Sequence, residues 1–265
     1  MTTLGVIFPP DLAPERLRPV ATAADRAGLQ QLWLWEDCFA ESGIACAAAA
    51  LGWTERITVG IGLLPVPLRN VALAAMEVAS LQRLFPGRVV TAVGHGVQSW
   101  MGQAGAAVES PMTLLREHVV ALRALLDGGT VTTSGRYVTL SDVTLAWPPA
   151  TPTPLLVGAV GDRTLQLAGE LGDGVILTGA TTPDSLRAAL PRLREGAARG
   201  DVPYGGDVVV FLALPGRPDP EEALTRIGEL VDAGATHVAL LSVGDEVTLE
   251  DFIDVVAREV APRLA

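Results

Sequence analysis

Thr54-Glu55-Arg56-Ile57-Thr58-Val59-Gly60, Arg69-Asn70, Leu81-Gln82-Arg83-Leu84-Phe85-Pro86-Gly87-Arg88 and Gly94-His95-Gly96 punctuate residues 54–96. The apolar run 57–64 has the length and β-branched content of a buried strand. The alanine-rich stretch 71–84 has helical period, and Pro86-Gly87 breaks it. A second apolar run, 89–94, ends at glycines. A strand, a helix and a second strand that is apolar on both faces make one unit of a parallel sheet covered by helices.

The same alternation continues in both directions. Strand-like runs occupy 4–8, 31–35, 57–64, 89–94, 154–160, 174–178, 208–214 and 237–242, with segments of helical period between them. Thr182-Pro183 opens one helix with Leu186, Leu190 and Leu193 on one face. Asp219-Pro220 opens another with Leu224, Ile227 and Leu230, stopped by Gly234. Both starts pair a capping side chain with proline at the first helical position. A last helix begins Thr248-Leu249-Glu250-Asp251 and turns Phe252, Val255, Val256 and Val260 inward. Eight βα units predict an α/β fold of one domain over residues 1–265, a single (β/α)8 TIM barrel. One segment departs from the alternation. Residues 130–133 and 136–140 read as two short strands around Ser134-Gly135, followed by the proline-rich 147–154, which predicts a hairpin insertion before the fifth barrel strand.

Composition removes several functions. The chain of 265 residues is 49% hydrophobic with a net charge of -11. The negative charge opposes a polyphosphate backbone, so nucleic acid is not an expected partner. No apolar run approaches the roughly 18 residues of a membrane span. The start, Met1-Thr2-Thr3-Leu4, shows no basic leader, and a cytoplasmic protein is expected. All the basic residues are arginine, which excludes a Schiff-base or Walker-type lysine. His95, His118 and His237 lie far apart, and no metal site is expected. His118 reads as helix surface and His237 as strand packing. Cys38 and Cys46 have neither metal nor redox spacing and are expected as reduced thiols.

In such a barrel the chemistry sits at the carboxyl ends of the strands. The second strand ends in Trp35-Glu36-Asp37-Cys38-Phe39, two adjacent carboxylates and a thiol. Glu36 reads as a pocket residue or part of a solvated acidic loop, and Cys38 as a functional thiol or a small packing residue. The third strand ends 60–69 in a proline-rich loop, where Arg69 is expected to cap the next helix or pair with Glu77. The fourth ends Gly94-His95-Gly96-Val97-Gln98-Ser99-Trp100-Met101. Glycines beside His95 let a ligand approach the backbone, and histidine titrates near neutrality, so His95 is the leading candidate acid or base. Gln98, Trp100 and Met101 are candidates to roof the pocket. Gly158-Ala159-Val160-Gly161-Asp162-Arg163 joins a strand to a helix through small residues. Its backbone N–H groups can bind an anion without lysine, with Arg163 adding a forked contact. Read as structure alone, it is a tight turn.

The run from Thr54 to Gly96, together with Gly135-Arg136-Tyr137 and Asp173-Gly174-Val175-Ile176-Leu177, resembles the bacterial luciferase-like flavin and deazaflavin oxidoreductases, most closely their coenzyme F420 branch. The resemblance implies a non-prolyl cis peptide at Gly62-Leu63 pressing on the coenzyme ring, with Leu64, Gly94, Gly96 and Thr178 also beside the coenzyme. It places the family aspartate on Asp37, and Cys38 where a histidine is frequent. Hydride transfer on F420 to a small organic substrate is the implied activity. FMN is the alternative coenzyme, in a monooxygenase served by a partner reductase, and a coenzyme-binding protein without turnover is a second alternative. Val97 stands where sugar-phosphate-oxidising relatives carry glutamate, and the lack of lysine also disfavours a phosphorylated substrate. Small residues along 44–51 and 71–84, where relatives often dimerise, imply a homodimer.

Overall fold

The computed structural model describes residues 2–199, 206–244 and 247–264. The extreme ends of the expected domain 1–265 and its segments 200–205 and 245–246 lie outside the described residues. In chain order the elements are β1 (Thr3–Phe8), α1 (Leu17–Arg26), β2 (Gln31–Leu34), α2 (Gly43–Trp53), β3 (Thr58–Pro65), α3 (Val71–Leu84) and β4 (Val89–Gly94). There follow α4 (Gln98–Gln103), α5 (Pro111–Leu126), β5 (Val131–Ser134), β6 (Thr139–Val143), β7 (Leu155–Gly158), α6 (Asp162–Leu171), β8 (Gly174–Leu177), α7 (Pro183–Ala197), β9 (Asp207–Pro215), α8 (Pro220–Asp232), β10 (His237–Val243) and α9 (Leu249–Val255). Eight parallel strands close in the order β1-β10-β9-β8-β7-β4-β3-β2, and β5 and β6 form a separate antiparallel pair. This is the expected TIM barrel with its hairpin between the fourth and fifth barrel strands.

Alternation along the strands divides the core in two. Leu4, Val6 and Phe8 of β1 face the helices, whereas Ile7 packs inside the barrel with Trp33, Ala92, Leu156, Ile176, Val209, Phe211 and Ala239. Trp33 fills the middle, its Nε1 donating to Gln31 Oε1 at 2.9 Å. A Cβ on Gly60 would lie 2.4 Å from the indole, so a side chain there would displace the largest group of the inner core.

The residues that punctuate the sequence hold the barrel's amino-terminal side together. Asp25 accepts the backbone N–H groups of Glu55, Arg56 and Ile57, which launches β3 beside α1. Arg88 of the Pro-Gly-Arg turn donates to the carbonyls of Ile57 and Thr54 and to Thr54 Oγ1. Asp173 accepts from Leu155 N and from Arg123, pinning β7 beside β8. The second hairpin strand begins at Thr139 and not at 136. The N–H groups of Arg136, Tyr137 and Val138 go to the Glu117 carboxylate, at 2.9, 2.8 and 3.0 Å, and are not free for the ladder.

His118 corrects the expectation of a helix-surface residue: it lies inside α5, 2% exposed. Burial, helped by the Arg69 charge, pushes its imidazole down to about 4. An unfolded histidine titrates near 6.5, so above that pH both states are neutral and the shift contributes nothing. As pH falls, the unfolded chain takes up a proton that the folded chain refuses. Stability is therefore expected to drop by about 2 kcal/mol by about pH 5. Urea unfolding of the His118→Gln variant should lose that part of the acid slope. An unchanged slope would assign acid sensitivity to other groups.

Candidate active site

A cavity of about 540 Å³ opens at the carboxyl ends of the barrel strands. Its floor is apolar, formed by Leu63, Ile176, Phe211 and Trp35, the last two rings in tilted contact at 5.3 Å. Leu63 reaches this floor because the pairing of β3 with β4 changes register between Ile61 and Leu64. The Gly62-Leu63 peptide is cis, as the resemblance implied, and so is Cys38-Phe39. Cβ atoms added to Gly94 and Gly158 would stand 2.6 and 2.2 Å from Leu63 Cδ2. Glycine at these two strand ends is what lets the leucine lie across the barrel mouth. Gly158, Ala159, Val160 and Gly161 form one rim and Thr178 and Gly179 the next. Gly161 is the N-cap of α6 and has no side chain to satisfy the first-turn N–H groups; Thr164 N–H donates to Gly161 O, which leaves those of Asp162 and Arg163 for a ligand.

Several expected site residues sit outside this wall. Leu64 points outward into the core between barrel and helices, as the residue following an inward one must. Gly94 touches the cavity only through Leu63. Met101 is fully buried beneath the loop, packed under Gly96, while Trp100 and Gly96 do line the cavity. Gln98 is exposed and spends its amide on the carbonyls of His95 and Gly96. Arg163 is exposed on the first turn of α6, because Thr164 and Leu165 are the residues of that turn that face inward. Cys38 lies in an adjoining cavity together with Phe39 and Glu41.

The polar side chains of the wall have distinct environments. Glu36 is committed: both its oxygens accept from Arg69, and Oε2 also accepts from Gly43 N at the start of α2. Arg69 pairs with Glu77 as well, as expected, but its grip on Glu36 is not legible in the spacing, and Asn70 is the residue that caps α3. Asp37 lines the cavity beside Glu36, and burial raises its carboxyl above the usual range. Burial raises the Cys38 thiol too, with Glu36 and Asp37 adding to the effect. His95 turns Nε2 toward Thr164 Oγ1 at 3.4 Å, and its Nδ1 is buried with no hydrogen-bond partner among the described residues. Burial lowers its pKa, opposed by the Pro111 backbone, which favours the neutral ring. Trp35 Nε1 is likewise buried without a partner. Trp35, Phe211, Ile176 and Thr164 were not singled out from the sequence. Inward parity at the strand ends marks the first three, but nearly continuous apolar strands conceal that parity. Among the described residues no group of acidic, histidine or cysteine side chains is placed to hold a metal.

A family model described as luciferase-like monooxygenase matches residues 3–252. The chain belongs to this luciferase-like family. Among curated relatives, an F420-dependent glucose-6-phosphate dehydrogenase of Beutenbergia cavernae is 30% identical over 263 residues, covering 93% of this chain and 78% of the relative. A 5,10-methylenetetrahydromethanopterin reductase of Methanolobus tindarius is 28% identical over 211 residues, covering 79% of this chain. The match spans 64% of that reductase's length. The structure of the coenzyme F420 dependent tetrahydromethanopterin reductase from Methanopyrus kandleri shares the fold at a TM-score of 0.88, with 20% identity, covering 100% of this chain and 99% of that one. Of these three, the Beutenbergia dehydrogenase and the Methanopyrus reductase bear F420 in their names.

Proposed function

We propose that this chain is an oxidoreductase that moves a hydride between coenzyme F420 and a small organic substrate bearing a C=C, C=N or carbonyl group. The observation that carries the reading is the slot built by Leu63, Gly94 and Gly158 over an apolar floor, beside a helix start with free N–H groups. A flat tricyclic ring fits against Leu63 and Ile176, with buried Trp35 Nε1 a donor for a ring oxygen, and a phosphate fits at Gly158–Gly161 near Thr178. Bound there, the coenzyme supplies hydride chemistry. Asp37 then carries the proton that the substrate heteroatom needs, since it is the carboxyl of the cavity wall without an ion pair among the described residues and burial raises its pKa. Neutral His95 orients that heteroatom through a ring N–H. Trp100 and Val97 cover the cavity and limit water.

A sugar phosphate fits poorly, because the wall contains Glu36 and Asp37 and no arginine, and Arg69 is held by two glutamates. The family's description as monooxygenases favours a second reading, FMN with a partner reductase. Anaerobic titration of the purified protein with reduced F420 and reduced FMN separates the two. Tight binding of F420 alone is expected. Binding of FMN alone would replace the reductase reading by the monooxygenase one, and binding of neither would remove both.

Two further expectations rest on this reading. Among the described residues no helix is long and apolar enough to cross a membrane, and both cysteines are free thiols, which supports a cytoplasmic enzyme. Leu73, Met76 and Leu84 on α3 are exposed, as is Val120 on neighbouring α5, a stripe suited to a second copy of the chain. Light scattering is expected to give about twice the chain mass of 27.6 kDa at micromolar concentration. A mass of one chain would remove the dimer.

A further inference from the structure

Asp37 borders two cavities. One is the coenzyme cavity; the other, about 420 Å³, is lined by Asp37, Cys38, Glu41 and Arg69 among others and opens on the outer side of the same loop. The loop between them is closely tied. Ala40 N–H donates to Asp37 O at 2.8 Å, reversing the chain, and Glu36 holds Gly43 at the start of α2. This turn brings Glu41 back beside Asp37. Glu41 is 8% exposed, and its Oε1 is fully buried with no hydrogen-bond partner among the described residues.

The three carboxyls of this loop differ in what compensates them. Glu36 has a guanidinium on both oxygens. Asp37 and Glu41 have no ion pair among the described residues. Two like charges in a half-dry site cannot both persist cheaply, and the usual resolution is a shared proton. We propose that Glu41 is a positioning residue for Asp37: the two carboxyls hold one proton between them, and Glu41 returns a proton to Asp37 from the outer cavity after each turnover. Burial raises Glu41, opposed by its own backbone N–H and reinforced by Asp37 and by Asp11 from the loop after β1. The other groups facing the pair are the Glu36–Arg69–Glu77 cluster, the Cys38 and Cys46 thiols, and His95 across the coenzyme cavity.

The proposal rests on the hydride reading. A reduced deazaflavin held in the cavity would supply a hydride, and with it two electrons, to the electrophilic carbon, and the π pair of the C=X bond would move to X. X would take the Asp37 proton. Both carboxyls are then deprotonated, and Glu41 takes up one proton from water of the outer cavity and passes it to the Asp37 carboxylate, which restores the single shared proton.

The test is a carboxyl-carbon NMR titration of the coenzyme-free protein, comparing wild type with Glu41→Gln and Glu41→Asp, followed by pH profiles of turnover. Glu41→Gln is expected to lower the Asp37 midpoint by on the order of one pH unit, because a neighbouring negative charge is gone. Glu41→Asp should restore it. In turnover, Glu41→Gln should shift the high-pH limb to lower pH and reduce kcat about tenfold with KM unchanged. An unmoved Asp37 midpoint overturns the pairing, and a moved midpoint with wild-type kcat overturns the proton return. Failure of F420 to bind would instead strike the hydride reading, and the NMR comparison would still decide the pair.

Discussion

Asp37→Asn is expected to lower turnover by about 10²- to 10⁴-fold while coenzyme affinity stays within about twofold, the range for losing a general acid–base group. The carboxyl lies in the cavity wall, and burial raises its pKa above the usual range. In the direction that consumes a proton the active form is the protonated one, so the rate should fall as pH rises through that raised pKa. Asparagine keeps the shape and cannot deliver the proton. His95→Gln should be milder, because a buried, neutral imidazole orients more than it donates. Single-turnover hydride transfer in the two variants decides between the roles. A dead His95→Gln with a fully active Asp37→Asn would move the proton to the imidazole, and two active variants would assign it to solvent.

Arg69→Met should cost about 3 to 5 kcal/mol of stability, the scale for stripping one partner from a buried ion pair. The Arg69 and Glu36 side chains are 13% and 9% exposed, and Glu77 shares the same guanidinium. Methionine fills much of the volume, so the loss is one of charge compensation and not of packing. Glu36 would remain buried with Gly43 N as its remaining donor among the described residues, and the loop carrying Asp37 and Glu41 would loosen with it. Denaturant unfolding measures the cost, and coenzyme affinity reports the loosening. Adding Glu36→Gln to Arg69→Met should recover part of the stability by removing one uncompensated charge. A cost below about 1 kcal/mol would show that water screens the cluster as it does a surface pair.

Much of this protein is written locally. Eight apolar runs at strand length, separated by capped segments of helical period, specify the barrel, because each run must be covered on both faces. Arg88 and Asp173 stand in motifs of the sequence and satisfy backbone groups of neighbouring strands, whereas Asp25, which does the same for the start of β3, has no such local mark. The cis peptide at Gly62-Leu63 was accessible only through resemblance to a family, since a Gly-Leu pair in an apolar run has no local mark.

What tertiary structure alone decided is which side chains of each strand end face the cavity and what compensates their charge. Leu64 falls outside the wall, while Trp35 and Phe211 fall inside it, because a shift of one residue along a strand exchanges one face for the other, and Met101 is turned beneath the loop by α4. Arg69 is committed to Glu36 from another strand end, and Glu41 is buried beside Asp37 in the loop that leads into α2. Local sequence determines backbone periodicity and caps. Burial and charge pairing depend on distances between segments far apart in the chain, and those distances exist only once the barrel has closed.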